Sequence, residues 1–128
     1  MWAIVQTQRR AYGRPMRFLF KILKAEAWRA AEETGLFEGS AVDHKDGFIH
    51  LSAAHQVRET AARHFAGETG LVLVAFAKGD LANLRWEASR GGGLFPHVHG
   101  TIPAGVARWV KPLPVADGVH VFPPETGS

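Results

Sequence analysis

The amino-acid sequence predicts a compact α+β domain with two helices near its start and a mixed, largely antiparallel sheet. Two stretches, 24–34 and 53–66, have apolar residues at helical spacing, and a glycine follows each of them. A continuous apolar run at 71–77 is typical of a strand that is buried on both faces. Short strand-like stretches separated by glycine and proline come after it and complete the predicted sheet.

The predicted elements follow one another closely along the chain. Trp28 lies on the apolar side of the first helix, so we expect it in the core. The dipeptide Asp46-Gly47 favours a tight turn before the strand that follows it. The predicted order is strand 17–23, helix 24–34, connector 36–44, strand 48–52, helix 53–66, strand 71–77, strand 84–88, an extended stretch at 95–100, and two short strands at 106–110 and 119–122.

Length and composition indicate one domain, which we place at 16–123 of the 128 residues. Residues 1–15 are interpreted as a loosely attached leader or as the result of a mis-assigned start before Met16, and 124–128 as a tail. The absence of cysteine excludes disulfides, thiolate metal ligands and cysteine nucleophiles. No apolar run approaches the length that crosses a bilayer, so we expect no membrane partner and a cytoplasmic location.

The net charge of +3 is concentrated near the N-terminus. Four arginines precede the first acidic residue, Glu26, and without them 11 basic residues remain against 12 acidic ones. The rest of the chain is therefore close to neutral and lacks the basic excess that binds phosphate backbones. We therefore do not expect extended nucleic acid as a partner.

The stretch 48–52 joins a strand to a helix and carries two polar side chains. Because side chains alternate along a strand, Ile49 and Leu51 are expected on the core face, and His50 and Ser52 on the other. Ser52 is also suited to cap the helix that follows. A strand end that leads into a helix N-terminus is a common place for a polar or anionic ligand.

Three further polar side chains project from later strands. Glu87 lies on the face of strand 84–88 opposite to Trp86, and His97 and His99 share a face of the extended stretch that follows. Imidazoles and a carboxylate suit general acid–base chemistry, because their pKa values can be tuned near neutral pH. The same set of side chains is also a possible ligand set for one metal ion.

The order of these motifs resembles a bacterial family called domain of unknown function 952, over residues 17–113. In that family the last motif usually reads Phe-Pro-His-Leu-Tyr-Gly, so His99 stands here in place of tyrosine. A metal role that depends on His99 would be peculiar to this chain, and we therefore expect no metal. The motifs that carry the resemblance are Lys21-Ile22-Leu23 followed by Trp28, Asp46-Gly47-Phe48-Ile49-His50-Leu51-Ser52, Thr60-Ala61-Ala62, Trp86-Glu87, and Phe95-Pro96-His97-Val98-His99-Gly100.

The resemblance implies an ADP-ribosyltransferase-like fold, in which a cleft between two small sheets takes up NAD or an ADP-ribose-like ligand. It implies cofactor binding by His50 and Ser52, which match the His-x-Ser/Thr pattern of that fold's first core strand. We expect His99 to contact the cofactor as well, although it stands at a position where the family has tyrosine. The resemblance also implies catalytic roles for Glu87, which would stabilise an oxocarbenium-like transition state or orient an acceptor hydroxyl, and for His97, which would move a proton or contact phosphate. A non-catalytic binding module for a nucleotide or small metabolite and a metal-dependent enzyme are the alternatives.

Overall fold

The computed structural model describes residues 17–89 and 91–127. The predictions for a leader at 1–15 and a start at Met16 lie outside these residues. No helix in the described ranges has the length and apolar character needed to span a membrane. The helices are α1 (Ala25–Thr34), α2 (Ala41–Asp46) and α3 (Ala54–His64). The strands are β1 (Phe18–Lys24), β2 (Leu36–Phe37), β3 (Ile49–His50), β4 (Ser52–Ala53), β5 (Leu71–Ala77), β6 (Leu84–Ala88), β7 (Leu94–Val98), β8 (Ile102–Pro103), β9 (Ala107–Pro112), β10 (Val115–Ala116) and β11 (Val119–His120).

The main sheet has the strand order β4-β1-β5-β9. Strands β1 and β5 pair along their whole length, from Phe18 opposite Ala77 to Lys24 opposite Leu71. Most of β5 is buried, since both faces of the sheet are covered. The sequence prediction of a strand buried on both faces is therefore confirmed.

The two faces of the main sheet contact different helices. On one face, Trp28 of α1 packs in a cluster with Leu19 and Phe76, and Trp28 is buried as predicted. On the other face, Val57 of α3 packs in a second cluster with Phe20. The alternation of side chains along β1 and β5 thus supplies both halves of the core.

A second sheet of three strands, in the order β3-β7-β6, carries most of the candidate site residues. The chain passes from this sheet to the main one between β3 and β4, and only Leu51 separates the two strands. The backbone N–H of Leu51 donates to the carbonyl of Pro96, at 3.0 Å, so the joint itself is bonded to the second sheet. All strand pairings among the described residues are antiparallel. The predicted antiparallel character is therefore confirmed, but the described sheets are not mixed.

The prediction of a connector at 36–44 is wrong, because this stretch contains β2 and most of α2. Helix α2 begins where the Ser40 backbone N–H donates to Oδ2 of Asp43, at 2.8 Å. It ends at Gly47, whose φ of +88° is left-handed and whose N–H donates to the Asp43 carbonyl at 2.8 Å. The Asp46-Gly47 dipeptide therefore closes a helix instead of forming a free-standing tight turn. A third helix is present, and α3 lies in the middle of the chain, so the helices are not confined to its start.

Candidate functional site

The second sheet has one apolar face and one polar face. His50 lies opposite His97 in the β3–β7 pairing, and His97 lies opposite Arg85 in the β7–β6 pairing. Paired residues point to the same side of a sheet, so these three side chains form a row. Ile49 and Val98 point the other way and are buried in the core, which confirms the predicted alternation. The other side of the sheet is called the polar face, and it carries Phe48, His50, Arg85, Glu87, His97 and His99.

Glu87 is the centre of a three-residue cluster on the polar face. Its Oε1 lies 2.8 Å from Nδ1 of His97 and 2.7 Å from Nε2 of His99. The side chain of His97 is 4% exposed, whereas Glu87 and His99 are 35% and 31% exposed. The cluster is thus anchored in the sheet on one side and open to solvent on the other. The sequence predicted that His97 and His99 share a face, and the structure brings Glu87 to both of them.

The protonation of this cluster follows from its hydrogen bonds. An ionised carboxylate only accepts, so Nδ1 of His97 and Nε2 of His99 both donate to Glu87. These hydrogen bonds, that of His99 first, hold the pKa of the Glu87 carboxyl below its usual value. In a neutral His97 the second nitrogen, Nε2, then carries a lone pair, and this atom is buried without a hydrogen-bond partner.

Phe48 lies among the three histidines of the polar face. Its ring stacks on that of His97, with a centroid distance of 4.1 Å and an interplanar angle of 26°. The ring centroids of His50 and His99 lie 4.7 Å and 5.3 Å from that of Phe48. The aromatic ring therefore fixes the spacing of the imidazoles and shields His97 from water.

His50 is held between two carboxylates. Its Nδ1 lies 2.7 Å from Oδ1 of Asp43, and its Nε2 lies 2.9 Å from Oδ2 of Asp46. Both contacts are hydrogen bonds only when each ring nitrogen carries a proton, because ionised carboxylates only accept. His50 is therefore placed to donate from the polar face, and Asp46 is the more exposed of its two partners.

A buried ion pair lies behind His50. The ammonium of Lys21 is 2.8 Å from Oδ2 of Asp43 and also donates to the backbone carbonyl of His50 at 2.9 Å. Burial raises the pKa of the Asp43 carboxyl, but the hydrogen bond from His50 and the charge of Lys21 outweigh it and hold that pKa well below its usual range. Burial lowers the pKa of Lys21, and Asp43 offsets part of this effect. Each member of the pair therefore favours the charged form of the other.

Ser52 does not lie with His50, contrary to the sequence prediction of a shared polar face. Its Oγ is 3.1 Å from Oγ1 of Thr60 in α3, and the residue is buried in the main sheet. It is not the cap of that helix either, since α3 follows Ala53, whose N–H donates to Oε1 of Gln56 at 3.0 Å. The physical reason is the change of sheet at Leu51, which sends β3 and β4 to different partners.

A cavity adjoins the polar face. Its volume is about 260 Å³, and its lining includes Phe48, Asp43, Gly100 and Thr101. Clefts that hold small ligands generally start near this size. Phe48 is the one lining residue that belongs to the polar face, and the lining includes neither His50 nor Arg85 nor the Glu87 cluster.

Four residues of the site have no role in the sequence analysis: Asp43 and Lys21, which position it, and Phe48 and Arg85, which lie on the polar face. Asp43 was missed because the sequence predicts a connector at its position. Lys21 was missed because its predicted strand was given no functional role. The spacing Ser40-x-x-Asp43 is a helix-start signal that could have found Asp43. Strand alternation also puts Phe48 on the side of His50 and Arg85 on the side of Glu87, but only the pairing of β3, β7 and β6 brings these side chains together.

Comparison with known proteins identifies relatives of known structure. Residues 22–110 match a family described as protein of unknown function (DUF952). The crystal structure of protein CC0527 from Caulobacter crescentus, a structural genomics target, is similar with a TM-score of 0.75 and 47% identity, over 81% of this chain and 93% of that chain. The solution NMR structure of CC0527 gives a TM-score of 0.73 and 48% identity, over 80% of this chain and 90% of that chain. No curated protein matches this chain.

Proposed function

We propose that this chain, which belongs to the DUF952 family of proteins of unknown function, binds a small nucleotide-like ligand such as NAD or ADP-ribose on its polar face and transfers the ADP-ribosyl group. One observation carries this proposal. The row formed by His50, His97 and Arg85 places a hydrogen-bond donor, His50, and a positive charge, Arg85, on the same face as the carboxylate of Glu87, which His97 holds in place. A dinucleotide offers the matching groups, namely ribose hydroxyls, a diphosphate and a glycosidic bond.

Arg85 is the proposed anchor for the diphosphate. It is exposed, and its strand pairing with His97 directs it to the polar face. A guanidinium presents a planar set of donors that matches phosphate oxygens. Its charge would hold the anionic part of the ligand at this end of the face.

His50 is the proposed contact for a ribose hydroxyl. Its contact with the partly exposed Asp46 is the one that a ligand would replace, because the contact with Asp43 is buried. His99, with a partly exposed ring, would contact the ligand on the far side of Phe48. Ser52 has no ligand contact in this proposal, since its hydroxyl is bonded inside the main sheet.

Glu87 is the proposed catalytic carboxylate. When the bond between the ribose anomeric carbon and the nicotinamide nitrogen breaks, nicotinamide leaves with the electron pair and positive charge develops on the ribose. A fixed, ionised carboxylate stabilises that charge in the transition state. An acceptor then adds to the anomeric carbon and releases its proton to water. His97 supports this step by holding Glu87, because its ring is too deeply buried to contact a ligand directly.

Thermal-shift titration with NAD, ADP-ribose and nicotinamide tests the binding. A ligand at about a hundredfold above its dissociation constant adds roughly 2.7 kcal/mol of stability. We expect the shift to disappear in His50→Ala and Arg85→Ala and to persist in Arg29→Ala, which removes a positive charge from the exposed side of α1. The proposal fails if none of the three ligands shifts the wild type, or if all variants respond equally.

A non-catalytic binding module is the second candidate, and one observation favours it. Oε1 of Glu87 already accepts two imidazole hydrogen bonds, which limits its capacity to meet a reacting ribose. The two candidates differ in the release of nicotinamide from NAD, followed by chromatography. An enzyme releases it in the wild type and not in Glu87→Gln, with ligand binding mostly retained in the variant. A binding module shows the thermal shift with no release in either protein.

A further inference from the structure

We propose that Glu87, His97 and His99 form a binding site for one divalent transition-metal ion of the zinc type. The three residues offer one donor atom each, and these atoms lie within 4.8 Å of one another. Among the described residues this is the one group of three or more such side chains that meets that condition. The argument for this site does not rest on the nucleotide proposed above, although the two proposals share residues, and it can be tested on the protein alone.

The donor set matches the chemistry of such ions. Two imidazoles and one carboxylate are a common set of three protein ligands around zinc, with a fourth position left for water or substrate. Magnesium and calcium prefer oxygen ligands and suit this cluster poorly. The zinc group of ions is therefore the class that the cluster selects.

The present hydrogen bonds mark where the ion would lie. The two N–H groups of His97 and His99 converge on Oε1 of Glu87 at 2.8 Å and 2.7 Å. With an ion bound, each neutral imidazole would carry its proton on its other ring nitrogen and present a lone pair here. Nδ1 of His97, Nε2 of His99 and Oε1 of Glu87 would then be the three ligand atoms. At metal–ligand distances of about 2.1 Å, tetrahedral donors lie roughly 3.4 Å apart. Oε1 of Glu87 therefore needs to lie roughly 0.6–0.7 Å farther from each imidazole nitrogen, and rotation of the partly exposed Glu87 and His99 side chains permits this.

The surroundings favour a preorganised site with one open side. His97 is fixed by its strand and by the stacked ring of Phe48. Glu87 and His99 face solvent in part, which leaves room for the fourth ligand. His97 also keeps a buried nitrogen, Nε2, without a partner, so this imidazole is poorly explained by stability alone. A function as a ligand through Nδ1 gives a reason for an imidazole at this position.

A bound ion and the catalytic role proposed for Glu87 exclude each other, since both use the negative charge of the same carboxylate. The metal titration is therefore made without nucleotide, and the nucleotide titrations are made in the presence of a chelator. Failure of one proposal then leaves the other to be judged on its own data.

Isothermal titration of the chelator-treated full chain with Zn²⁺ tests the site. We expect one ion per chain in the wild type and a loss of affinity of about tenfold or more in Glu87→Gln and His99→Gln. The glutamine at 99 retains an N–H that can donate to Glu87, so it separates the ligand role of the imidazole from its hydrogen bond. His64→Ala, which removes an exposed histidine of α3, should bind Zn²⁺ like the wild type.

Loading with Co²⁺ provides a second, spectroscopic measurement. A site with nitrogen and oxygen ligands in tetrahedral geometry gives visible absorption bands, which Zn²⁺ should displace and which His99→Gln should lack. Thermal unfolding of each metal-free variant shows whether it is folded before titration. The proposal is overturned if the folded wild type binds no Zn²⁺, or if folded His99→Gln binds it as tightly as the wild type.

Discussion

Asp43 holds His50 at two points, the backbone and the ring. Oδ1 of Asp43 accepts a hydrogen bond from the backbone N–H of His50 at 3.1 Å and lies 2.7 Å from Nδ1 of its imidazole. Lys21 completes the clamp from the neighbouring sheet by donating to the carbonyl of His50. The orientation of His50 therefore depends on α2, a helix of only six residues, and on a buried charge pair.

Replacing Asp43 with asparagine should cost about 3–5 kcal/mol of unfolding free energy, because it leaves the buried ammonium of Lys21 without a counter-charge. Urea denaturation measures the effect. Asp80→Asn is the matched control, since Asp80 pairs with Arg108 at the surface and should lose only about 0–1 kcal/mol. Equal losses in the two variants would contradict the importance given to the buried pair.

The stability of the wild type should fall with acid partly because of Asp43. The pKa of its carboxyl is lowered in the folded protein, while the unfolded chain has a value of about 3.9. Between these two pKa values the unfolded state binds more protons than the folded state, so the unfolding free energy falls as the pH falls. The contribution of Asp43 to the unfolding free energy is complete above about pH 5, and it is lost as the pH falls through the folded-state pKa. Unfolding free energies measured from neutral pH down to about pH 3 should decline less steeply in Asp43→Asn. Parallel curves for the two proteins would show that Asp43 has no such role.

Gly47→Ala should destabilise the protein by about 1–2 kcal/mol, because the glycine ends α2 with a left-handed φ of +88°. An added Cβ would meet no atom within 4 Å, so the cost is conformational and not steric. Gly79→Ala is the control, since a Cβ there is also unobstructed and the backbone is not left-handed. A neutral Gly47→Ala would refute this explanation. The His50 ring should become more mobile in the variant, which NMR relaxation of the imidazole detects.

Phe48→Leu should cost about 0.5–1.5 kcal/mol, because leucine retains apolar bulk but removes the stack on His97. The ring protons of His97 lie against the face of Phe48, so they should shift downfield when the aromatic ring is removed. Carbon–proton correlation NMR measures that shift. Phe65→Leu is the control. It removes a ring that packs against the core cluster of Phe20 and Val57, and it should leave the His97 signals in place. Unchanged His97 signals in Phe48→Leu would count against the stacked arrangement.

Local pattern was sufficient for much of the fold. The strands at 71–77 and 84–88 were predicted with the bounds that the structure has. The first is a pure apolar run, and the second alternates, so each signal is contained in a few consecutive residues. The same alternation placed His50 and Glu87 on the sides of their strands where they lie.

The errors fall where distant contacts decide the local structure. Helix α2 is too short to show helical periodicity, and Val42, which could have marked an apolar side, is exposed. Its central residue, Asp43, is satisfied by Lys21 from β1, a contact that no local pattern contains. Ser52 lies apart from His50 because β4 pairs with β1 whereas β3 pairs with β7. These partner strands are distant in sequence, so no local pattern shows the separation.

The passage from β3 to β4 through the single residue Leu51 restricts how the length of this protein can vary. Adding one residue there would shift the pleat on one side of the joint, so that either His50 would turn inward or Ser52 would turn outward. Deleting one residue would also exchange the faces on one side of the joint, because side chains alternate with a period of two. Homologous chains that retain both sheets should therefore align without gaps across this joint, and differences in length should lie in surface loops.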